Sequence, residues 1–261
     1  MVSFQLTPEQ EQTFHREGYL LVPELFDASE TQLLREIALA DKAMADNATD
    51  REDREGAITR LSLRNELGDD IYSAIVRSPR VRDTMERLLG DEVYHYHHKV
   101  MLKEPRVGGA WEWHQDYGYW YNFGCLYPTM ASCYIAIDRA TRENGCLQVI
   151  AQSHWMGRVE HGKSGGQTGA DMERVQAALE RMPLVYVEME PGTALFFHGN
   201  LLHRSDKNTS ERPRWSLICC YNTRANSPYK EGRHPAYQRL EPGSDDAVRE
   251  VGERQLAALT P

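Results

Sequence analysis

The sequence predicts a mainly β fold with flanking helices: a double-stranded β-helix of the jelly-roll, cupin-like type, with N-terminal helices packed on it. Two observations support this. Before residue 93, apolar residues recur at helical spacing behind capping signatures. From residue 93 onward, short runs rich in Val, Ile, Tyr, Phe and Cys alternate with turn residues, which is typical of a sandwich or a barrel.

The chain of 261 residues is long enough to bury a core, and it shows no internal repeat or low-complexity tract. We therefore predict one domain over residues 1–261. It divides into a helical N-terminal part (about 1–92), a jelly-roll core (about 93–223) and a C-terminal extension (224–261).

Capping signatures mark the predicted helices of the N-terminal part. Thr7-Pro8-Glu9-Gln10 combines a cap, a proline in the first turn and a capping-box glutamine, and Gly18 suits the end of that helix. Asp27 to Glu30 is a second signature of this kind. Ser78-Pro79 opens a third helix, which ends at Gly90.

Strands are predicted wherever β-formers lie between turn residues. A short one follows the first helix, and the charged stretch 45–59 is predicted to be a solvated surface loop. The predicted strands of the core are 93–103, 130–138, 146–151, 184–190, 193–198 and 215–223. A glycine-rich insertion at 162–169 and a helix over 170–182 interrupt them.

Composition narrows the range of partners and compartments. The net charge of −9 argues against nucleic acid as a partner, because phosphate binding needs a basic face. No run reaches the roughly 18 apolar residues of a membrane span, so no membrane contact is expected. The five cysteines show no CxxC spacing, which favours reduced thiols and a cytoplasmic protein.

His114-Gln115-Asp116 is the first candidate metal motif. It lies in an aromatic stretch, and on a β-strand residues i and i+2 share a face, so the imidazole and the carboxylate are expected to converge. By itself the pair also fits a surface hydrogen bond. His15-Arg16-Glu17 has the same spacing, but it falls in a predicted helix, where i and i+2 diverge.

A third ligand is expected from the stretch that begins at Pro191-Gly192. An apolar strand, a glycine-containing turn and a second histidine predict a hairpin that brings His198 or His203 to the barrel mouth. Arg214 then opens the last strand, where a buried guanidinium needs an anion. Two histidines, one carboxylate and an arginine fit an iron(II) site with a bound 2-oxoglutarate better than a zinc site.

With these motifs in place, the chain resembles the phytanoyl-CoA dioxygenase-like iron(II)/2-oxoglutarate oxygenases. The matching segments are Phe14-x-x-x-Gly18-Tyr19, His114-Gln115-Asp116, Asn144-Gly145-Cys146-Leu147, Ser153-His154, the stretch from Pro191-Gly192 to His203-x-Ser205, and Arg214. The resemblance implies that His203 rather than His198 is the third metal ligand. It also implies that Arg214 anchors 2-oxoglutarate.

Further roles follow from the same resemblance. It implies Fe(II), 2-oxoglutarate and O2 as reactants, with stimulation by ascorbate, and oxidative decarboxylation of 2-oxoglutarate to succinate and CO2. Asp116 favours hydroxylation, because a halogenase has Ala or Gly there. The additional cofactor-binding candidates are Lys99, His97, Ser205, Trp120 and Ser216. His97 stands where relatives have glutamine, and Met101 where they often have asparagine.

The substrate is expected to be a small polar or zwitterionic molecule or a biosynthetic intermediate. An acyl-CoA is the alternative within the family, but no clear basic patch for its phosphates is present. A cupin-like binding module without catalysis and a zinc hydrolase are the competing classes. The candidate substrate residues are Tyr117, Tyr119, Arg158, His161 and Arg224, with Trp155 at the same mouth.

Overall fold

The computed structural model describes residues 4–53, 55–164 and 167–260. Its helices are α1 (Pro8–Glu17), α2 (Ala28–Ala40), α3 (Lys42–Asp46), α4 (Ile71–Arg77), α5 (Pro79–Leu89), α6 (Asp116–Trp120), α7 (Met172–Leu179) and α8 (Asp246–Leu259). Its strands are β1 (Tyr19–Val22), β2 (Thr49–Glu52), β3 (Ile58–Arg64), β4 (Val93–Lys103), β5 (Trp111–His114), β6 (Met130–Ala136), β7 (Leu147–Ile150), β8 (His161–Ser164), β9 (Gln167–Ala170), β10 (Leu184–Val187), β11 (Ala194–His198), β12 (His203–Ser205) and β13 (Arg214–Thr223).

Two antiparallel sheets form the jelly roll. The major sheet has the order β1-β11-β6-β13-β4-β3-β2, and the minor sheet has the order β10-β7-β12-β5. A separate hairpin pairs β8 with β9. The predicted fold class is confirmed.

The central strands of the major sheet have two buried faces, and the alternation of their side chains separates two parts of the core. On β13, Leu217, Cys219 and Tyr221 pack into the cluster beneath the helices. Ile218 and Cys220 belong to the cluster between the two sheets. Because side chains alternate along a strand, every second residue of β13 faces the interior of the barrel.

Both N-terminal capping boxes form as the sequence predicts. At the start of α1, the Thr7 side chain accepts a hydrogen bond from the Gln10 backbone N–H, and the Gln10 side chain accepts one from the Thr7 backbone N–H. Gly18 ends that helix in the left-handed conformation, with φ of 82°. Asp27 and Glu30 do the same for α2. These local hydrogen bonds need no tertiary context, so the sequence reveals them.

The helical layer is closed by α8, which the sequence analysis did not predict. It packs against α2 and α4. The helices approach closely at Gly252, where a Cβ atom would lie 2.5 Å from Leu33 Cδ2. Arg80 of α5 also ties this layer together, since its guanidinium bonds Glu30 at 2.6 Å and Asp245 at 3.2 Å.

Two expectations about local structure are wrong. The stretch 45–59 is not all loop, because β2 lies at its centre as an edge strand whose four residues are all exposed. Both faces of such a strand are polar, so its sequence lacks the alternation of apolar and polar residues that predicts a strand. The 162–169 insertion forms the β8–β9 hairpin, of which residues 165 and 166 lie outside the described part.

The second wrong expectation is the hairpin between His198 and His203. The first histidine ends β11 in the major sheet, and the second begins β12 in the minor sheet. The turn at residues 199–202 therefore crosses between the sheets. The length of this connecting segment alone does not distinguish a crossing between sheets from a hairpin within one sheet.

We expect Arg80→Met to lower the free energy of unfolding by about 3–5 kcal/mol, because it leaves the buried Glu30 carboxylate without its cation. Denaturant titration measures the change. Arg181→Met, which removes an exposed ion pair with Glu180, is the matched control and should shift stability by less than about 1 kcal/mol. A loss for Arg80→Met as small as that of the control would contradict the prediction.

Candidate metal centre

Three buried side chains converge between the two sheets. His114 ends β5, Asp116 opens α6, and His203 begins β12. Each offers one ligand atom, and these atoms all lie within 4.8 Å of one another. His114 and His203 are direct partners in the minor sheet, and their ring centroids are 4.0 Å apart.

The expectation that His114 and Asp116 share one strand is wrong. The strand ends at His114, and Asp116 is already helical, so the turn at Gln115 brings the carboxylate to the imidazole. His114 Nε2 lies 3.8 Å from Asp116 Oδ1. The convergence thus comes from a change of secondary structure rather than from strand periodicity.

Gln115 fixes that turn, although no sequence signal pointed to it. Its side chain is fully buried and points away from the ligands. Its Nε2 donates to the carbonyls of Gly157 and Asn200, and its Oε1 accepts from the backbone of Val159. The middle residue of the motif therefore locks the metal-binding turn to two neighbouring loops.

Hydrogen bonds around the triad orient the ligand atoms. His114 Nδ1 donates to the Glu112 carbonyl at 2.8 Å, and His203 Nδ1 donates to the Leu201 carbonyl at 2.9 Å. Each imidazole therefore keeps its Nε2 lone pair for a cation. Ser132 Oγ donates to Asp116 Oδ2 at 2.9 Å, which leaves Oδ1 directed at the same point.

Electrostatics support the same assignment. Burial, and then the neighbouring His203, lower the pKa of His114 well below its usual value. Burial also lowers the pKa of His203, against the opposing effect of Asp116. Both imidazoles are thus neutral, as a metal ligand must be. Two neutral imidazoles and one carboxylate on one side of a point form the donor set that suits iron(II).

His198, the other histidine considered, lies outside this cluster. Its ring packs near Phe14 and His154, with centroids 6.4 Å and 5.5 Å away. Its Nδ1 accepts the backbone N–H of Asn200, and burial lowers the pKa of His198 to about 3. It is a core histidine that supports the crossing between the sheets.

A second polar cluster lies farther along the barrel interior. Arg214 is 2% exposed, its Nη1 donates to Tyr134 Oη at 2.7 Å, and its Nε has no hydrogen-bond partner among the described residues. Ser216, two residues along the same strand face, has a buried Oγ that is also without a described partner. Unsatisfied donors on one wall indicate a place for a polar ligand.

Lys103 faces the same space and was missed by the sequence analysis. It is the register partner of Arg214 and is fully buried. Its Nζ donates to Ser205 Oγ at 2.9 Å and to the Asp206 carbonyl. Burial, and then the charge of Arg214, lower the pKa of Lys103 well below its usual value. The available signal was a lysine inside an apolar strand, four residues after Lys99.

The two cations lack a counter-ion within the described part of the chain. Neither Arg214 nor Lys103 forms an ion pair with a carboxylate there. Since an unpaired buried charge is costly, this part of the barrel is suited to an anion. The cluster and the triad open into the same interior, because Ser205 lies two residues after His203 on one strand.

Comparison with known proteins agrees with this geometry. The family model for phytanoyl-CoA dioxygenase (PhyH) matches residues 14–216. The chain belongs to the phytanoyl-CoA dioxygenase family.

Two curated relatives and one solved structure illustrate the similarity. The chain is 34% identical to L-proline trans-4-hydroxylase from Streptomyces griseoviridis over 64% of this chain and 68% of that protein. It is 31% identical to methylphosphonate hydroxylase from Gimesia maris over 87% and 84% of the two chains. EctD from S. alaskensis, solved with 2-oxoglutarate and 5-hydroxyectoine, superposes with a TM-score of 0.78 at 25% identity, over 92% of this chain and 88% of that one.

Several residues that the family resemblance singled out face the barrel interior of this family member. Lys99 is half-buried beside the triad. His97 is buried, and its Nδ1 has no partner among the described residues. Trp120 packs edge-on against the His97 ring at 6.0 Å. Ser205 and Ser216 lie in the polar cluster described above.

The substrate candidates separate into three groups. Tyr119 lies against the His114 ring at 5.6 Å, and its hydroxyl donates to the Thr168 carbonyl, so it borders the triad. Tyr117 is buried, with its hydroxyl on the Cys125 carbonyl. His161 uses both ring nitrogens, accepting from the Gln115 backbone and donating to the Val159 carbonyl. These last two residues hold the turn rather than line the mouth.

The remaining candidates lie farther out. Arg158 pairs with Glu160 and covers the Tyr121 ring. Arg224 is exposed in an ion pair with Glu92, beyond the end of β13. Trp155 is 71% exposed. The structure therefore brings Tyr119, but not these three residues, to the triad.

We expect His203→Ala to weaken iron(II) binding by more than about 100-fold, because it removes one of three converging ligand atoms. His198→Ala should leave iron affinity unchanged within about twofold. Titration of the anaerobic apoprotein with iron(II), followed by calorimetry, gives both dissociation constants. Stronger loss in His198→Ala than in His203→Ala would reverse the assignment.

Proposed function

We propose that this chain is an iron(II)- and 2-oxoglutarate-dependent dioxygenase that hydroxylates an unactivated C–H bond of a small organic molecule. The observation that carries the proposal is the placement of the His114–Asp116–His203 triad in the same interior as two buried cations that have no counter-ion among the described residues. The curated relatives are named hydroxylases and dioxygenases, which supports the same reaction class.

The proposed reaction converts 2-oxoglutarate, O2 and R–H into succinate, CO2 and R–OH, with iron(II) supplying the activation of O2. His114 Nε2, His203 Nε2 and Asp116 Oδ1 would hold the metal. Their hydrogen bonds to Glu112, Leu201 and Ser132 keep these atoms in place. Three protein ligands would leave further coordination positions of iron(II) for co-substrate and O2.

Arg214 is proposed to receive the distal carboxylate of 2-oxoglutarate, since a guanidinium fits a carboxylate in bidentate geometry. Tyr134 Oη accepts from Arg214, so its own proton is available to the same anion. Ser205 Oγ likewise accepts from Lys103 and can donate onward. Ser216 completes the set with an unpartnered hydroxyl.

We expect Arg214→Met to weaken 2-oxoglutarate binding about 100-fold and Lys103→Met about 10-fold, because each removes a buried cation near the distal carboxylate. Neither change should affect 2-oxovalerate, which lacks that carboxylate. Calorimetry on the iron(II) protein without O2 measures the dissociation constants of both variants for both ligands. Lys207→Met, at an exposed ion pair, is the control. Equal losses for both ligands would show that the variants disturb the fold instead.

A small polar or zwitterionic substrate is proposed rather than an acyl-CoA. The relatives named above act on proline and methylphosphonate, by their names, and both are small polar molecules. The net charge of −9 is unfavourable for the phosphates of CoA and for nucleic acid.

We also propose a single domain in the cytoplasm. Strands β1 to β3 of the N-terminal part join the major sheet, which supports one folding unit. All five cysteines are buried free thiols, as a reducing compartment requires. In the part of the chain that the structure describes, none of the helices is long and apolar enough to cross a membrane.

The reaction class is tested by turnover. Protein supplied with iron(II), ascorbate and 2-oxoglutarate should form succinate slowly without a substrate and faster with one, whose mass then rises by one oxygen atom. The triad variant His203→Ala should form none. A non-catalytic binding protein would bind 2-oxoglutarate without consuming it, and a zinc hydrolase would retain zinc and ignore 2-oxoglutarate.

A further inference from the structure

A ring cluster at one end of the barrel involves a residue from outside the jelly roll. His234 belongs to the C-terminal extension, yet its ring stacks on His97 with centroids 4.7 Å apart. It also contacts Tyr96 at 4.6 Å and Phe123 at 5.3 Å. The extension therefore contributes a nearly buried imidazole beside an interior residue of β4.

This end of the barrel lies away from the proposed co-substrate anchor. Lys103 pairs with Arg214, whereas His97 pairs with Cys220. Six residues along a strand span about 20 Å. Cys220 is level with Ser132, whose hydroxyl holds Asp116. The Asp116 carboxylate therefore lies near the level of His97, so the His97 end of the barrel borders the metal ligands and lies away from the Arg214 anchor.

Lys99 supplies a cation at this end. It shares the interior face of β4 with His97, and its ammonium forms no hydrogen bond or ion pair with any described residue. Its register partner Ile218 belongs to the cluster between the two sheets, so the side chain of Lys99 enters the same interior as the triad. An unpaired, half-buried ammonium in this position favours an anionic group.

His234 offers the complementary function. Asn65 Nδ2 donates to the Arg233 carbonyl at 3.0 Å, so Asn65 Oδ1 must accept from His234 Nδ1 at 2.9 Å. The proton is therefore on Nδ1, and Nε2 keeps its lone pair. Burial, and then the charge of Arg233, lower the pKa of His234 to about 4, so the ring is neutral. Its Nε2 can accept an N–H from a ligand.

We propose that this end of the barrel binds an amino-acid-like zwitterion, with the acidic group on Lys99 and the ammonium or imino N–H on the His97–His234 pair. His234 is the specificity-determining residue that the C-terminal extension contributes. This inference rests on the proposed function, since it places the substrate of the same iron site. His234 also lines a surface cavity of about 680 Å³, together with Asn65 and His95.

The test uses the iron(II) protein with saturating 2-oxoglutarate and no O2. Free amino and imino acids, including L-proline, are titrated by calorimetry, each beside its carboxamide and its N-acetyl derivative. At least one zwitterion should bind, and both derivatives should bind about 10-fold or more weakly. Lys99→Met should remove the preference for the free acid. His234→Phe, which preserves the ring stacking, should remove the preference for the free amine.

Matched controls are Lys207→Met and His15→Phe, both at exposed positions, which should retain both preferences. The inference is overturned if no zwitterion binds, or if an acid without an amine, such as methylphosphonate, binds as tightly as any zwitterion. It is also overturned if both preferences survive in both variants. Binding of 2-oxoglutarate to the wild type is recorded separately, and its absence would refute the proposed function instead. If a variant does not fold, the comparison of zwitterions with their derivatives on the wild-type protein still tests the inference.

Discussion

The pairing of β12 with β5 is the constraint on which the candidate centre depends. It places His203 directly opposite His114, on the face that looks into the barrel. A slip of one residue would turn an imidazole to the other side of the minor sheet, because side chains alternate along a strand. The Asp116 carboxylate is the third ligand group. The turn at Gln115 brings it to the two imidazoles, and the hydroxyl of Ser132 holds it there. The centre is therefore a joint product of both sheets.

Buried charge is the second organising feature. The fold accommodates Lys103 and Arg214 side by side, where mutual repulsion and dehydration both disfavour them. Space for the lysine is left by two glycines. A Cβ atom at Gly108 would lie 2.4 Å from Lys103 Cγ, and one at Gly145, with φ of 76°, would lie 2.2 Å from the Asp206 carbonyl oxygen. An anion that binds both cations relieves the unfavourable electrostatics, so co-substrate binding and local stability are coupled.

The outer layers connect the ends of the chain to the barrel. Arg80 joins α5, α2 and Asp245, and α8 packs against α2 and α4. In the segment of the C-terminal extension that joins β13 to α8, the ring of His234 stacks on His97, an interior residue of the barrel. The extension is thus both a cover for the helical layer and a wall of the proposed substrate site, which is why the N-terminal, core and C-terminal parts act together.

The sequence by itself determined the local features: both capping boxes, the change from helical to strand texture near residue 93, and the histidine, carboxylate and arginine set. These depend on neighbours within a few residues or on motifs with fixed spacing. Only the tertiary structure decided that Asp116 starts a helix, that β11 and β12 belong to different sheets, and that Lys103 and His234 reach the interior. Lys103 and Arg214 are 111 residues apart in the chain (214 − 103) and meet through strand register. Register depends on long-range pairing and packing, which no local pattern of residues contains.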